Sequence, residues 1–297
     1  MLILNLIEHE TIWGGQKLVH NKHEKKKIGH LYSLITEEEM ASKIINGAHA
    51  GETFRDYFSK NKSQLGMSEY RTFPFVVAIV DASDNLSIQV HPDDNAALTL
   101  ENQRYGKNES WYFIEAPTDG WIYNGCVCRD INELHQKLQT RELDGLTDSL
   151  SVKPEDYIYI EAGTLHSLTS GSLVYEIEEN CNLTYRFYDF DRKDEQGNPR
   201  ELHLDKASEA VNINKRSSTK RYSNSEPIAE RRYSTQLLKN ISEYENNGQN
   251  LACLTLIDGG FELDGVDMLP GMSVLLLPGE RITCDIKVAI VARPINT

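Results

Sequence analysis

No run of apolar residues in this 297-residue chain is long enough to span a bilayer, so nothing in it reads as a transmembrane helix. Basic residues are scarce: 31 Lys and Arg stand against 45 Asp and Glu, a net charge of −14. That balance argues against nucleic acid and against a membrane surface as partners, and leaves any phosphorylated ligand to a few local cations. Cysteine is sparse and scattered, at Cys126, Cys128, Cys181, Cys253 and Cys284. An odd, dispersed set offers no disulfide framework, and the Cys126-Val127-Cys128 pair lacks the second pair of a zinc knuckle. Reduced cysteines and a cytoplasmic location are the expectation. Internal repeats, low-complexity segments and the β–α–β rhythm of a doubly wound sheet are also missing. The N-terminus, Met1-Leu2-Ile3-Leu4-Asn5-Leu6-Ile7-Glu8, becomes charged too soon for a signal peptide and reads as a strand.

What is present is mostly strand. Runs at 75–80, 86–90, 110–114, 157–160, 173–177 and 183–190 are separated by Gly, Asn, Asp and Pro turn signals, as in a β-sandwich or barrel. Helical patterns fit 37–45, 53–60, 95–104, 131–140 and the stretch from Ser208, with Thr53 and Asp130 as N-caps. The polar, cationic stretch 212–226 reads as a linker. The expected division is a catalytic domain at 1–211, that linker, and a smaller β-domain at 227–297, with 272–277 as a core run and no ligand-rich motif. Lys25-Lys26-Lys27 reads as a solvated loop.

Chemistry concentrates around His91. In 86–91, Leu86, Ile88 and Val90 fall on one strand face and Ser87, Gln89 and His91 on the other, before Pro92 ends the ladder. A second strand places Lys107 and Glu109 on one face. A third, at 156–166, ends in a turn glycine, Gly163, and then His166. His91, Glu109 and His166, with Gln89 beside them, form a mixed nitrogen and oxygen set suited to zinc or another divalent first-row metal. Three protein ligands would leave a position open, as a catalytic metal requires. Taken singly, each histidine is more often exposed or hydrogen-bonded, and Glu109 a solvated charge. Nor do the ligands have the compact spacing of a helical metal motif.

At these residues the chain resembles the class I mannose-6-phosphate isomerases in their short bacterial form. The resemblance runs through Ile12-Trp13-Gly14-Gly15, Phe73-Pro74-Phe75, 86–94, 107–112, 162–168 and 184–192. The block Gln89-Val90-His91-Pro92-Asp93-Asp94 and the later Tyr185-Arg186-Phe187-Tyr188-Asp189-Phe190-Asp191-Arg192 are its specific parts. It thins after about the first 200 residues.

The resemblance implies a mainly β, cupin or jelly-roll barrel with helical additions. It implies one zinc per chain held by His91, Glu109 and His166, with Gln89 nearby or coordinating. Arg186 would be the essential arginine and Glu176 a carboxylate near the sugar. Lys107 matches a lysine of the family motif. The implied activity is a zinc-dependent aldose–ketose isomerisation, mannose 6-phosphate to fructose 6-phosphate, with a small sugar phosphate as partner. Ser87, Lys107 and Arg186 are the expected substrate contacts, and Glu176 the expected proton-transfer group, with Glu178 and Glu179 as competitors. On residues alone, a surface salt bridge to Asp189 or Asp191 is the favoured reading of Arg186.

Three positions depart from the family pattern. Gly29-His30-Leu31-Tyr32 stands where Gly-Glu-x-Trp is usual. Ala78 stands where a lysine is usual, and no lysine occurs near Thr169-Ser170. These departures admit two other readings: a non-catalytic cupin that binds a sugar or sugar phosphate, and an isomerase of a different sugar.

Overall fold

The computed structural model describes residues 1–19, 25–140, 145–194, 196–223 and 226–295. It is mainly β, and none of its helices is long and apolar enough to cross a membrane. The chain divides into two compact units that are discontinuous in sequence. One comprises Met1–His9, Leu31–Ile79 and Tyr222–Thr297; the other comprises Glu10–His30 and Val80–Arg221. The expected division at 211–227 differs from this, because Met1–His9 and Leu31–Ile79 group with the C-terminal segment. Of the expected linker, residues 224 and 225 lie outside the described residues. Within it Thr219–Lys220 is a short strand, with Thr219 opposite Ile158 and Lys220 opposite Tyr157.

In the first unit, apolar residues at alternate positions of long antiparallel strands build one core. Tyr233–Glu245 pairs with Arg281–Pro294, which pairs with Ala252–Asp258, followed by Ser273–Leu276. The run expected to be apolar core is fully buried over Ser273–Leu276. Leu2–Ile3 extends this sheet, Leu2 opposite Leu275 and Ile3 opposite Val274. Thr53 caps the helix Phe54–Asn61, its side chain accepting from Asp56 N.

The helix expected over 37–45 does not form. Ser42 Oγ accepts from Ile35 N, and Ser42 N donates to Ile35 O at 2.9 Å, closing a loop. Backbone groups beyond it form bridges, Lys43 with Thr53 and Ile44 with Leu4. Local serine and strand partners thus take the bonds a helix would have used.

The second unit carries the site. A five-stranded sheet runs Tyr185–Tyr188, Ile88–Val90, His166–Ser167, Trp121–Cys126, Thr147–Ser151. Four antiparallel strands of a second sheet lie wholly within this unit: Thr219–Lys220, Tyr157–Ile160, Glu109–Glu115 and Leu173–Glu179. Ile88 and Val90 pack outwards with Tyr185 and Phe187 against Leu134, Leu138, Ala207 and Ala210 of the helices Ile131–Thr140 and Leu204–Ala210. The last helix therefore starts before Ser208. On the inner side, Trp111, Phe113, Ile122, Ile158, Ile160 and Val174 share a core between the sheets. The period-2 alternation of 88–91 therefore seals the outer face with Ile88 and Val90 and sends Gln89 and His91 inward. Leu86, ahead of the strand, packs in the inner core instead of beside them.

Trp13-Gly14-Gly15 is fixed by backbone approach. A Cβ on Gly14 would lie 2.5 Å from Gly29 N and 2.6 Å from the carbonyl carbon of Ile28. Backbone cannot yield as a flexible side chain does. Gly14→Ala should therefore lower stability by about 1–3 kcal/mol, the usual range for overpacking. A chemical denaturation midpoint equal to that of the parent would contradict this packing.

Candidate metal centre

Three strands deliver the ligand candidates. His166 begins the strand His166–Ser167 and stands opposite Gln89; Glu109 begins Glu109–Glu115 and stands opposite Ile160 and Glu178. His91 follows Val90 immediately, its strand ended by Pro92. The three side chains are buried, and their ligand atoms lie within 4.8 Å of one another.

Each imidazole is oriented from behind. His91 Nδ1 lies 2.9 Å from Leu183 O, and His166 Nδ1 lies 2.8 Å from Thr164 O. A carbonyl oxygen only accepts, so each Nδ1 carries a proton and each ring turns its Nε2 inward. These Nε2 atoms lie 3.0 and 3.4 Å from the two oxygens of Glu109. Neither Nε2 has a hydrogen-bond partner among the described residues, and nor has Glu109 Oε1. Burial, reinforced by the Lys107 ammonium, pushes His91 down to about 4, so its ring is neutral near pH 7. The Nε2 lone pair of the neutral His91 ring, aimed at a carboxylate, is repelled by it unless a cation lies between them. The donor set fits a divalent metal.

The surrounding charges are negative on balance. Burial works against the Lys107 ammonium, but Glu178, Glu109 and Glu176 outweigh it and hold it protonated. Lys107 Nζ contacts Glu178 and lies 3.4 Å from Glu109 Oε2. Glu109 is held well below the usual carboxylate range, despite burial, by His91 and Lys107. Glu176, opposite Trp111 in the register, accepts from Trp111 Nε1 at 2.9 Å. Burial, then Glu109 and Glu178, raise its carboxyl well above the usual range.

Gln89 faces inward opposite both His166 and Arg186, and Ser87 Oγ donates to Gln89 Oε1 at 3.1 Å. Arg186 makes no salt bridge to Asp189 or Asp191 among the described residues. Asp189 is taken instead by Arg192 and by Arg200, which donates from Nε at 2.7 Å. Arg186 is half-buried, with a buried Nε that has no hydrogen-bond partner among the described residues. Burial and the neighbouring Arg200 pull its pKa down. Tyr188, two residues after Arg186, packs against the outer cluster, because the register shifts between the two.

Of the positions that depart from the family pattern, Ser170 is bound to Asn85 and Ser83 and sends nothing inward. Ala78 is buried within Phe75–Asp81. His30, by contrast, lies 3.9 Å from Glu176 Oε2. Its proximity, and the support Trp111 gives Glu176, escape sequence reasoning, because both depend on strand pairing. The period-2 match of 109–111 with 176–178 is the one trace the sequence carries.

A mainly β cupin barrel with two imidazoles and a carboxylate converging in its interior is the class that fold and site define. Residues 1–110 match the family model for the type I phosphomannose isomerase catalytic domain. A probable mannose-6-phosphate isomerase of Bacillus subtilis, GmuF, is 35% identical over 215 residues, 71% of this chain and 68% of the relative. A mannose-6-phosphate isomerase of Streptococcus mutans is 33% identical over 217 residues, 72% of this chain and 68% of the relative. The crystal structure of the Bacillus subtilis mannose 6-phosphate isomerase superposes with a TM-score of 0.84 at 27% identity, covering 98% of this chain and 99% of that one. The chain belongs to the type I phosphomannose isomerase family.

Proposed function

We infer that this protein is a zinc-dependent isomerase that interconverts mannose 6-phosphate and fructose 6-phosphate. The observation that carries the reading is the pair of buried imidazoles, each fixed through Nδ1 by a backbone carbonyl, aimed with Glu109 at one point. The names of the relatives support the substrate. His91, Glu109 and His166 would hold the metal, with Gln89 beside them.

The reaction moves a proton from the carbon next to a carbonyl to the carbonyl carbon, through an enediolate, while the proton of the neighbouring hydroxyl passes to the former carbonyl oxygen. The bound divalent ion supplies Lewis-acid stabilisation of that charge, worth several kcal/mol. Glu176 takes and returns the proton. A carboxylate in a buried, negative surround is more basic than one in water, which suits a weakly acidic C–H. Trp111 Nε1 donates to one of its oxygens and so fixes the orientation of the carboxyl group. Lys107, held protonated by its carboxylates, serves as a fixed positive charge and a donor to a sugar oxygen. Arg186, without a carboxylate partner among the described residues, is available to the anionic substrate as a second cation. Ser87 braces Gln89.

A coupled assay with mannose 6-phosphate, before and after chelation and zinc restoration, tests the reading. Turnover that disappears on chelation and returns with zinc is expected. Turnover of unphosphorylated sugars alone would reassign the substrate, and tight binding of mannose 6-phosphate without turnover would make the protein a sugar-phosphate binder.

A further inference from the structure

His30 is held in the site by its own packing. Its ring meets that of Trp13 edge-on, with centroids 5.1 Å apart. The preceding residue has to be glycine, since a Cβ on Gly29 would lie 2.2 Å from Thr11 Oγ1 and 2.7 Å from the Trp13 ring. Trp13-Gly14 and Gly29-His30 are therefore one tight cross-strand unit that aims the imidazole. Facing it, Glu176 has one oxygen tied to Trp111 Nε1 and the other, Oε2, 3.9 Å from His30 Nε2. That separation is too long for a hydrogen bond. It is suited to a single hydroxyl oxygen about 2.8 Å from each atom. Both side chains keep some exposure, 19% for His30 and 8% for Glu176, so a ligand can reach them.

We propose that His30 and Glu176 together grip one hydroxyl of the sugar, which makes His30 a substrate-binding residue. This rests on the isomerase reading of the same site. The hydroxyl donates its proton to Glu176 Oε2, and His30 Nε2–H donates to the hydroxyl oxygen. A carboxylate at position 30 could only accept. It would also add a fourth acidic group to Glu109, Glu176 and Glu178 around the one ammonium of Lys107, and like charges in a buried site are unfavourable. The imidazole supplies the missing donor without that repulsion.

Mannose 6-phosphate analogues lacking the hydroxyl at C2, C3 or C4, measured as competitive inhibitors, provide the test. In the parent protein one analogue should bind about tenfold more weakly than the others, the loss expected of one hydrogen bond. His30→Ala, and His30→Phe, which keeps a ring against Trp13, should reduce that difference to about twofold or less with metal content unchanged. His30→Gln, which retains a donor, should keep part of it. The proposal is overturned if no analogue is discriminated by the parent, or if the discrimination survives in both His30→Ala and His30→Phe. It is equally overturned if both variants lose the metal, because His30 would then support the metal centre. If the parent fails to turn over mannose 6-phosphate, the isomerase reading falls by that result alone; calorimetric binding of the same analogues then decides on His30 separately.

Discussion

His91→Ala should lose its metal and its activity together. The ring is buried, its Nδ1 is fixed by Leu183 O, and its Nε2 points at Glu109 and His166, so it supplies one of the three clustered ligand atoms. Losing the Lewis acid forfeits several kcal/mol of charge stabilisation, which is on the order of a thousandfold or more in rate. Zinc content of the purified variant, read with the coupled assay, checks both halves of this expectation. The fold should survive, since the outer face of that strand is sealed by Ile88 and Val90 against other elements. A variant that still holds a full equivalent of zinc would show the ligand assignment to be mistaken.

Arg186→Ala should separate the two properties, with metal content unchanged and activity lower by about a hundredfold to a thousandfold, the usual cost of removing one preorganised charge-stabilising group. The prediction rests on the arginine's freedom. Arg192 and Arg200 are committed to Asp189, whereas Arg186 faces the interior beside Gln89 without a carboxylate partner among the described residues. Arg186→Lys should recover only part of the rate, since an ammonium restores the charge but not the planar fork. Were Arg186→Ala to keep near-parental kcat and KM, the arginine would have no part in the reaction.

The parts of the site that were legible in the sequence are those set by local periodicity. Alternation over 88–91 separates Ile88 and Val90 from a face carrying Gln89 and His91, as the pattern places them. Leu86, expected beside Ile88 and Val90, packs in the inner cluster because the strand begins only at Ile88. The caps at Thr53 and Asp130 also act locally, Asp130 accepting from Glu133 N at 2.9 Å. What could not be read depends on which strands pair, and in what register. Glu109 opposite Glu178, and Trp111 opposite Glu176, bring together residues distant along the chain, and no local rule selects that pairing over a shifted one. His30 shows the same limit. In the sequence it is only a departure from a family pattern, whereas in the fold it faces Glu176. Residues 37–45 show the converse, a local helical pattern overridden by Ser42 and by strand partners.

Anomalous diffraction at the zinc absorption edge, from crystals of the zinc-loaded protein, tests the metal centre most directly. One strong peak is expected, about 2.0–2.2 Å from His91 Nε2, His166 Nε2 and a Glu109 carboxylate oxygen. A zinc-loaded crystal with its peak elsewhere, or with these three side chains turned away from it, would contradict the account.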